Sequence, residues 1–199
     1  MATRNRYYNI EGTIRSGFKL SRDYETLDFS FIKMNDDGVR ALVGSRSIKQ
    51  LKRLTINNNK LTHESGISIA NSKWLGNLQS LKLYRNKISH EGLKALAESD
   101  KLPSLKSLRL SHNQIGPDGA KFIAESNNFG GLTSLGLSEN NLGDEGIKYL
   151  AQAQNLKELE ILDLRNNNIT DEGAIAFSTC TNFPNIQKVE LSDNKLTDL

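Results

Sequence analysis

Apolar residues return along this chain at a constant interval of 27 residues. One column of anchor residues runs through the chain: Leu27, Leu54, Leu81, Leu108, Leu135, Leu162 and Val189. A second apolar column stands three positions earlier: Tyr24, Leu51, Leu78, Leu105, Leu132, Leu159 and Ile186. A third apolar residue follows each anchor after one intervening residue, and this alternation predicts a short strand with one buried face. A fixed period of this size indicates stacked units, so the predicted sheet is parallel.

The rest of each repeat predicts a bend and then a helix. The fifth position after the anchor is asparagine in six repeats, and Ile32 replaces it in the first. An amide both donates and accepts hydrogen bonds, so an Asn column can satisfy the backbone where each strand turns away from the sheet. A glycine stands eleven positions after most anchors, but Ser65 holds that place in the second repeat. We therefore expect the position to require mainly a small residue for close helix packing.

The segments LKSLRLSHNQIGPDGAKFIA and LEILDLRNNNITDEGAIAFS resemble leucine-rich repeats, with the pattern L-x-x-L-x-L-x-x-N-x-I/L. The long period and the helical half resemble the ribonuclease-inhibitor-like subclass, which also includes Ran GTPase-activating proteins and many bacterial repeat proteins. The resemblance implies an α/β fold, a right-handed leucine-rich-repeat solenoid or horseshoe. Parallel strands would form its concave face and helices its convex face. It also implies protein partners in the concavity, and its motif carries no catalytic residues.

The repeat phase divides the chain into two parts. Residues 1–23 lie outside the phase and predict an N-terminal capping segment, with a targeting segment as the alternative. Residues 24–199 predict a leucine-rich repeat domain of about seven 27-residue repeats, the last one incomplete because the sequence stops at Leu199. The last strand then lacks a cap. Three interpretations follow: the sequence is truncated, the last strand is an open edge of the sheet, or a second molecule covers that strand.

Composition points to a protein of a reducing compartment. Cys180 is the single cysteine, so an internal disulfide is excluded, and a cytoplasmic location is the expectation. A secreted effector without a signal remains an alternative. No apolar run approaches the length of a membrane span.

Charge is divided between the two halves of the chain. Residues 1–115 contain 20 Lys and Arg against 10 Asp and Glu, whereas residues 116–199 contain 6 against 13. Outward strand positions of repeats two to four stack into a basic patch, and those of repeats five to seven are mixed to acidic. We predict a partner-binding patch for a protein, with an acidic partner as one interpretation, formed by Arg53, Lys60, Lys82, Tyr84, Arg85, Lys87, Arg109 and His112.

Other chemistry has weaker support in the sequence. Nucleic acid is disfavoured because only one aromatic residue faces the patch and half of the surface is acidic. His63-Glu64 and His90-Glu91 stack on adjacent turns, but two such pairs fit solvated side chains better than a metal site. Cys180 is expected on a helix in the core. The sequence predicts no cofactor, metal or enzymatic activity.

The function that fits these features is a scaffold that binds a protein through its concave face. Two alternatives remain open at this point. One is a regulator of a small GTPase, by resemblance to the Ran-activating relatives. The other is a structural protein that self-associates through its uncapped C-terminal edge.

Overall fold

The computed structural model describes residues 9–197, which contain one sheet of seven parallel strands. The strands are β1 (Thr26–Asp28), β2 (Arg53–Thr55), β3 (Ser80–Lys82), β4 (Ser107–Arg109), β5 (Ser134–Gly136), β6 (Ile161–Asp163) and β7 (Lys188–Glu190). Neighbours pair in chain order, and each register is offset by one repeat, so that Leu27 lies opposite Leu54 and Leu162 lies opposite Val189. The predicted stack and its α/β solenoid class are confirmed.

Within the same residues, one α-helix precedes β1 and one follows each of the first six strands. The helices are α1 (Ile10–Ser21), α2 (Asp36–Gly44), α3 (His63–Ala70), α4 (His90–Glu98), α5 (Gly116–Glu125), α6 (Gly143–Ala151) and α7 (Asp171–Ser178), with a 3₁₀ turn at Arg46–Ile48. Each helix from α2 to α6 contacts the next one along the chain. The helices therefore form a second layer, parallel to the sheet.

The spacing of the two layers makes the strand side the concave face. Paired strands lie about 4.8 Å apart, whereas packed helices lie about 8–10 Å apart. The same number of repeats thus spans a shorter distance on the strand side. The layer of strands must lie on the inside of the resulting arc, as the sequence predicts.

The core lies between the two layers and follows the anchor columns. From β1 to β6 the anchors are at most 1% exposed, and the apolar residues two positions later are buried as well. Val189 and Leu191 of the seventh repeat are only half-buried, because β7 is the last strand of the described sheet. Burial is therefore continuous along the stack and weakens at that edge.

The asparagine column makes the hydrogen bonds that the sequence predicts. Asn167 is fully buried, and its Nδ2 donates to the carbonyl oxygens of Leu137 and Leu164 at 2.9 and 3.0 Å. Its Oδ1 accepts from the backbone N–H groups of Asn140 and Leu142 at 3.0 and 3.3 Å. The corresponding bonds of the other repeats are made by Asn59, Asn86, Asn113, Asn140 and Asn194. Each Asn thus joins its own repeat to the repeat before it.

Small residues at the start of each helix allow the helices to touch. A Cβ on Gly66 would lie 2.8 Å from the Cα of Gly92, and a Cβ on Gly92 would lie 2.9 Å from the Cα of His63. Neither glycine has a positive φ. Ser65 is fully buried, and its hydroxyl donates to Asp36 at 2.5 Å. Close packing is therefore the reason for small residues here, as the sequence indicates.

Helix α1 covers the first strand. Ile14 and Phe18 on this helix are buried, and a Cβ on Gly17 would lie 2.7 Å from the side chain of Leu27. These contacts fit a capping role for the segment 1–23, although residues 1–8 of that segment lie outside the described residues. The boundaries of the two predicted parts stay a prediction.

Two expectations from the sequence are wrong. Tyr24 is not a core residue: it is 67% exposed with φ of 53°, and its ring packs on Phe18 of α1 at 5.8 Å. Cys180 does not lie on a helix, because α7 ends at Ser178. The thiol is half-buried against the core in the loop that follows.

Candidate functional site

The residue after each anchor lies on the concave face, since the anchor itself is buried and side chains alternate along a strand. The column formed by these residues is Asp28, Thr55, Lys82, Arg109, Gly136, Asp163 and Glu190. It is basic on β3 and β4, has no side chain on β5 and is acidic on β6 and β7. The charge of this column therefore changes sign at Gly136.

A pocket of about 450 Å³ opens on this face. It is lined by Asn57, Lys82, Tyr84, Arg109, Ser111, Ser138, Glu139, Asp163, Arg165, Asn166 and Asp193. An adjoining hollow of about 270 Å³ shares Arg109 and Asp163 with it and extends to Gly136. A Cβ on Gly136 would lie 3.4 Å from both Arg109 Cγ and Ser111 Oγ, so the glycine leaves space that a larger side chain would fill.

Lys82 and Arg109 form the basic wall of the pocket. Both side chains are exposed, and within residues 9–197 neither makes an ion pair or a side-chain hydrogen bond. Their backbones pair directly in the sheet, so two positive charges lie side by side. Like charges at directly paired positions are destabilising, and an anionic group placed between them would offset the repulsion.

An aromatic pair links the basic wall to the acidic half of the face. The rings of Tyr84 and His112 stack with centroids 6.0 Å apart and an interplanar angle of 28°. His112 Nδ1 lies 3.0 Å from Glu139 Oε2. Tyr84 is 39% exposed, so it presents an apolar ring to the pocket.

The other side of the pocket holds a well-ordered ion pair. Arg165 donates through Nε and Nη2 to the two oxygens of Asp163 at 2.9 and 2.8 Å. Burial would raise the pKa of Asp163, but the hydrogen bonds from the side chain and backbone N–H of Arg165 hold that pKa below its usual value. Lys188 and Glu190 form a second pair, with Nζ and Oε1 2.5 Å apart. The carboxylate of Asp163 therefore stays ionised at neutral pH.

The repeats identified in this geometry match a known family. A sequence model of the Leucine Rich repeat family matches residues 77–97, 101–124, 132–151 and 155–178. The chain is a leucine-rich repeat protein. The four matches fall on successive turns of the stack, from β3 to α7, and so include most of the pocket. The ribonuclease-inhibitor-like subclass stays a prediction.

Solved structures share the fold of this leucine-rich repeat protein. InlP of Listeria monocytogenes superimposes with a TM-score of 0.63 at 18% identity, and the match covers 87% of this chain and 44% of InlP. The tropomodulin C-terminal domain of Caenorhabditis elegans superimposes with a TM-score of 0.54 at 15% identity, covering 73% of this chain and 90% of that domain. The chain thus spans less than half of the InlP chain. No curated protein matches the sequence, and identities this low show the fold alone.

Four of the eight predicted partner-binding residues lie in or beside the pocket of this leucine-rich repeat protein. Lys82, Tyr84 and Arg109 line it, and His112 stacks on Tyr84. The predicted patch therefore supplies one wall of the pocket.

The other four predicted residues lie outside the pocket. Arg53 is engaged near α1, where its guanidinium donates to Asp23 at 2.7 Å and to the hydroxyl of Thr26 at 2.8 Å. The remaining residues are exposed without lining the pocket, namely Lys60, Arg85 and Lys87. Whether any of the eight binds a partner stays a prediction.

The pocket also uses residues that the sequence did not mark as a site. These are chiefly Glu139, Asp163, Arg165 and Asp193. One signal in the sequence could have located these residues: Gly136 is the single glycine in an otherwise polar column of concave-face positions. A missing side chain in the middle of the concave face is where a hollow forms.

The other candidate residues of the leucine-rich repeat protein make local contacts in the described part of the chain. Within residues 9–197 no group of three or more His, Cys, Asp and Glu side chains is placed to hold a metal ion. His63 and His90 each lie beside the Glu that follows them, at 3.5 and 3.3 Å. Trp74 donates to the Gly44 carbonyl at 3.1 Å and packs against the core. None of the helices in that range has the length and apolarity to cross a membrane.

Proposed function

We propose that the concave face of this protein holds a protein partner and that the molecule is a rigid scaffold. The observation that carries this proposal is the pre-formed pocket with Lys82 and Arg109 on one wall, two cations that have no anionic partner within residues 9–197. Both residues stand on strands that are paired on each side, so binding would order little of the backbone. The leucine-rich repeats support a protein-interaction scaffold in general, and the family is typically non-enzymatic.

The composition of the pocket favours a protein surface over a small apolar ligand. Small-molecule sites are lined mainly by hydrophobic side chains. Here Tyr84 is the single apolar ring among polar and charged side chains. A polar surface with one aromatic anchor is typical of a protein interface that retains water.

Charge reversal of the basic wall tests the proposal. A partner is first isolated by affinity capture and purified, and its Kd is then measured for the wild type and for Lys82→Glu/Arg109→Glu. The matched control is Lys49→Glu/Lys157→Glu, which makes the same change in net charge at two exposed residues in the loops that return from helix to strand. We expect the concave variant to lose about tenfold or more in affinity, and the control to bind as the wild type does.

The opposite pattern would remove the proposal. A partner whose affinity falls equally in both variants responds to net charge, and one whose affinity changes in neither binds another surface. The GTPase-regulator hypothesis, the self-assembly hypothesis and the cytoplasmic location stay predictions, since no contact within residues 9–197 favours them.

A further inference from the structure

We infer that the pocket takes an extended segment of the partner that carries an acidic and a basic side chain three or four residues apart. The acidic side chain lies over Lys82 and Arg109, and the basic one lies over the opposite end. The inference rests on the proposed function and adds the chemistry of the bound segment to it.

The two ends of the pocket carry opposite net charge. The basic wall consists of Lys82 and Arg109, and neither has an anionic partner among the described residues. The acidic end holds the carboxylates of Glu139, Asp163 and Asp193 against the one guanidinium of Arg165. Asp193 is exposed and makes no side-chain hydrogen bond in the described part of the chain. A ligand with a single sign of charge would meet repulsion at one end, which makes a bipolar segment the better fit.

The spacing of the strands sets the spacing of the two ligand charges. The centre of the basic wall lies between β3 and β4, and the acidic end is centred on the sixth repeat. These centres are two and a half strand spacings apart, or about 12 Å. An extended chain advances about 3.3 Å per residue, so the two charged side chains stand three or four residues apart.

The size of the pocket favours an extended chain over a helix. The pocket runs from Asn57, after β2, to Asp193, after β7, which is five strand spacings or about 24 Å. The centres of water molecules can occupy about 450 Å³ over that length, a mean cross-section of about 19 Å², which widens to about 46 Å² once the radius of water, about 1.4 Å, is added. An α-helix with side chains is at least about 10 Å across, or about 80 Å². An extended chain occupies about 4.8 by 10 Å, or about 48 Å². A helix would therefore stand above the pocket, whereas an extended chain fits into it.

A random dodecapeptide library displayed on phage is the probe for this inference. It is selected on the wild-type chain, and the retained peptides are titrated against three variants. Lys82→Glu/Arg109→Glu reverses the basic wall, and Glu139→Lys/Asp193→Lys reverses two residues of the acidic end. The third variant combines all four substitutions. Arg85 occupies the same repeat position as Glu139 and Asp193 with a positive φ of 54°, so a long basic side chain suits this backbone.

We expect retained peptides to carry an acidic and a basic residue three or four positions apart. Each two-residue variant should weaken them about tenfold or more. The four-residue variant should recover most of the affinity, because the charges of the pocket are exchanged and the peptide binds in the opposite direction. Lys49→Glu/Lys157→Glu serves again as the control, and thermal unfolding by circular dichroism establishes that every variant is folded.

Two results would overturn the inference. Peptides that lose affinity with Lys82→Glu/Arg109→Glu but keep or gain affinity with Glu139→Lys/Asp193→Lys are simply acidic ligands, and the proposed function then stands without the bipolar segment. A selection that yields no peptide sensitive to either concave variant rejects the bound segment itself. In that case the partner titration described above decides the proposed function independently.

Discussion

The substitution Asn167→Ala tests the physical basis of the stack. The Asn167 side chain is fully buried and makes buried hydrogen bonds to four backbone groups: the carbonyls of Leu137 and Leu164 and the N–H groups of Asn140 and Leu142. A fifth bond, to the carbonyl of Arg165 at 3.2 Å, is only partly buried. Alanine removes both the donors and the acceptor and leaves these groups without their partner. A buried group that loses its hydrogen bond costs about 1 kcal/mol or more, so the free energy of unfolding should fall by about 4 kcal/mol.

Two matched substitutions separate burial from residue type. Asn194 occupies the same position in the seventh repeat and makes equivalent bonds, but it is half-buried and water can replace the lost partners. Asn194→Ala should therefore cost about half as much. Asn185 is exposed and donates one hydrogen bond, to the carbonyl of Lys157 at 2.9 Å. Asn185→Ala should change the free energy of unfolding by about 0.5 kcal/mol at most.

Urea unfolding followed by far-ultraviolet circular dichroism measures all three differences. The free energy is extrapolated linearly, and an unchanged slope shows that the wild type and the variant expose the same surface on unfolding. A fall for Asn167→Ala within about 0.5 kcal/mol of that for Asn185→Ala would refute the reasoning. The amide column would then be a consequence of the stack and not a cause of its stability.

Three further predictions concern packing, pH and the pocket. Gly66→Ala should lower the free energy of unfolding by about 1–3 kcal/mol, because the new Cβ would lie 2.8 Å from the backbone of the next helix. The control Gly76→Ala should leave the free energy of unfolding unchanged, since a Cβ there would meet nothing within 4 Å. Equal urea midpoints for the two variants would contradict this prediction. Burial would raise the pKa of Asp144, but hydrogen bonds from the backbone N–H and hydroxyl of Thr170 lower this pKa in the folded protein. The ionised carboxylate therefore contributes fully to the free energy of unfolding above about pH 4. This contribution is lost as the pH falls through the folded-state pKa. Asp144→Asn should therefore lower the free energy of unfolding more at pH 7 than at pH 2, and a loss of equal size at both would reject the linkage. Gly136→Gln should fill the hollow and weaken partner binding about tenfold, while the melting temperature stays unchanged. An unaltered affinity in a Kd titration would exclude the hollow from the interface.

The sequence by itself determined which residues become neighbours. A constant interval of 27 residues places Lys82 beside Arg109, and Asn140 beside Asn167, without reference to any coordinate. The alternation around Leu81 and Leu108 also separates the buried from the exposed face. These properties depend on backbone repetition alone, because a strand alternates its side chains with a period of two and each repeat must cover the next.

The tertiary structure decided how side chains at these positions use their surroundings. Arg53 on β2 and Arg109 on β4 are both basic, yet Arg53 reaches an acid near α1 and Arg109 has no ion-pair partner within residues 9–197. Tyr24 packs on a helix that lies outside the repeat phase, so no period could place it. The hollow beside the pocket follows from the absence of a side chain at Gly136, and the bidentate pairing of Arg165 with Asp163 forms the far side of the pocket. A repeat pattern specifies the position of each Cα atom in the stack. The end of a long side chain can reach several partners in three dimensions, and the surrounding structure determines which of them it contacts.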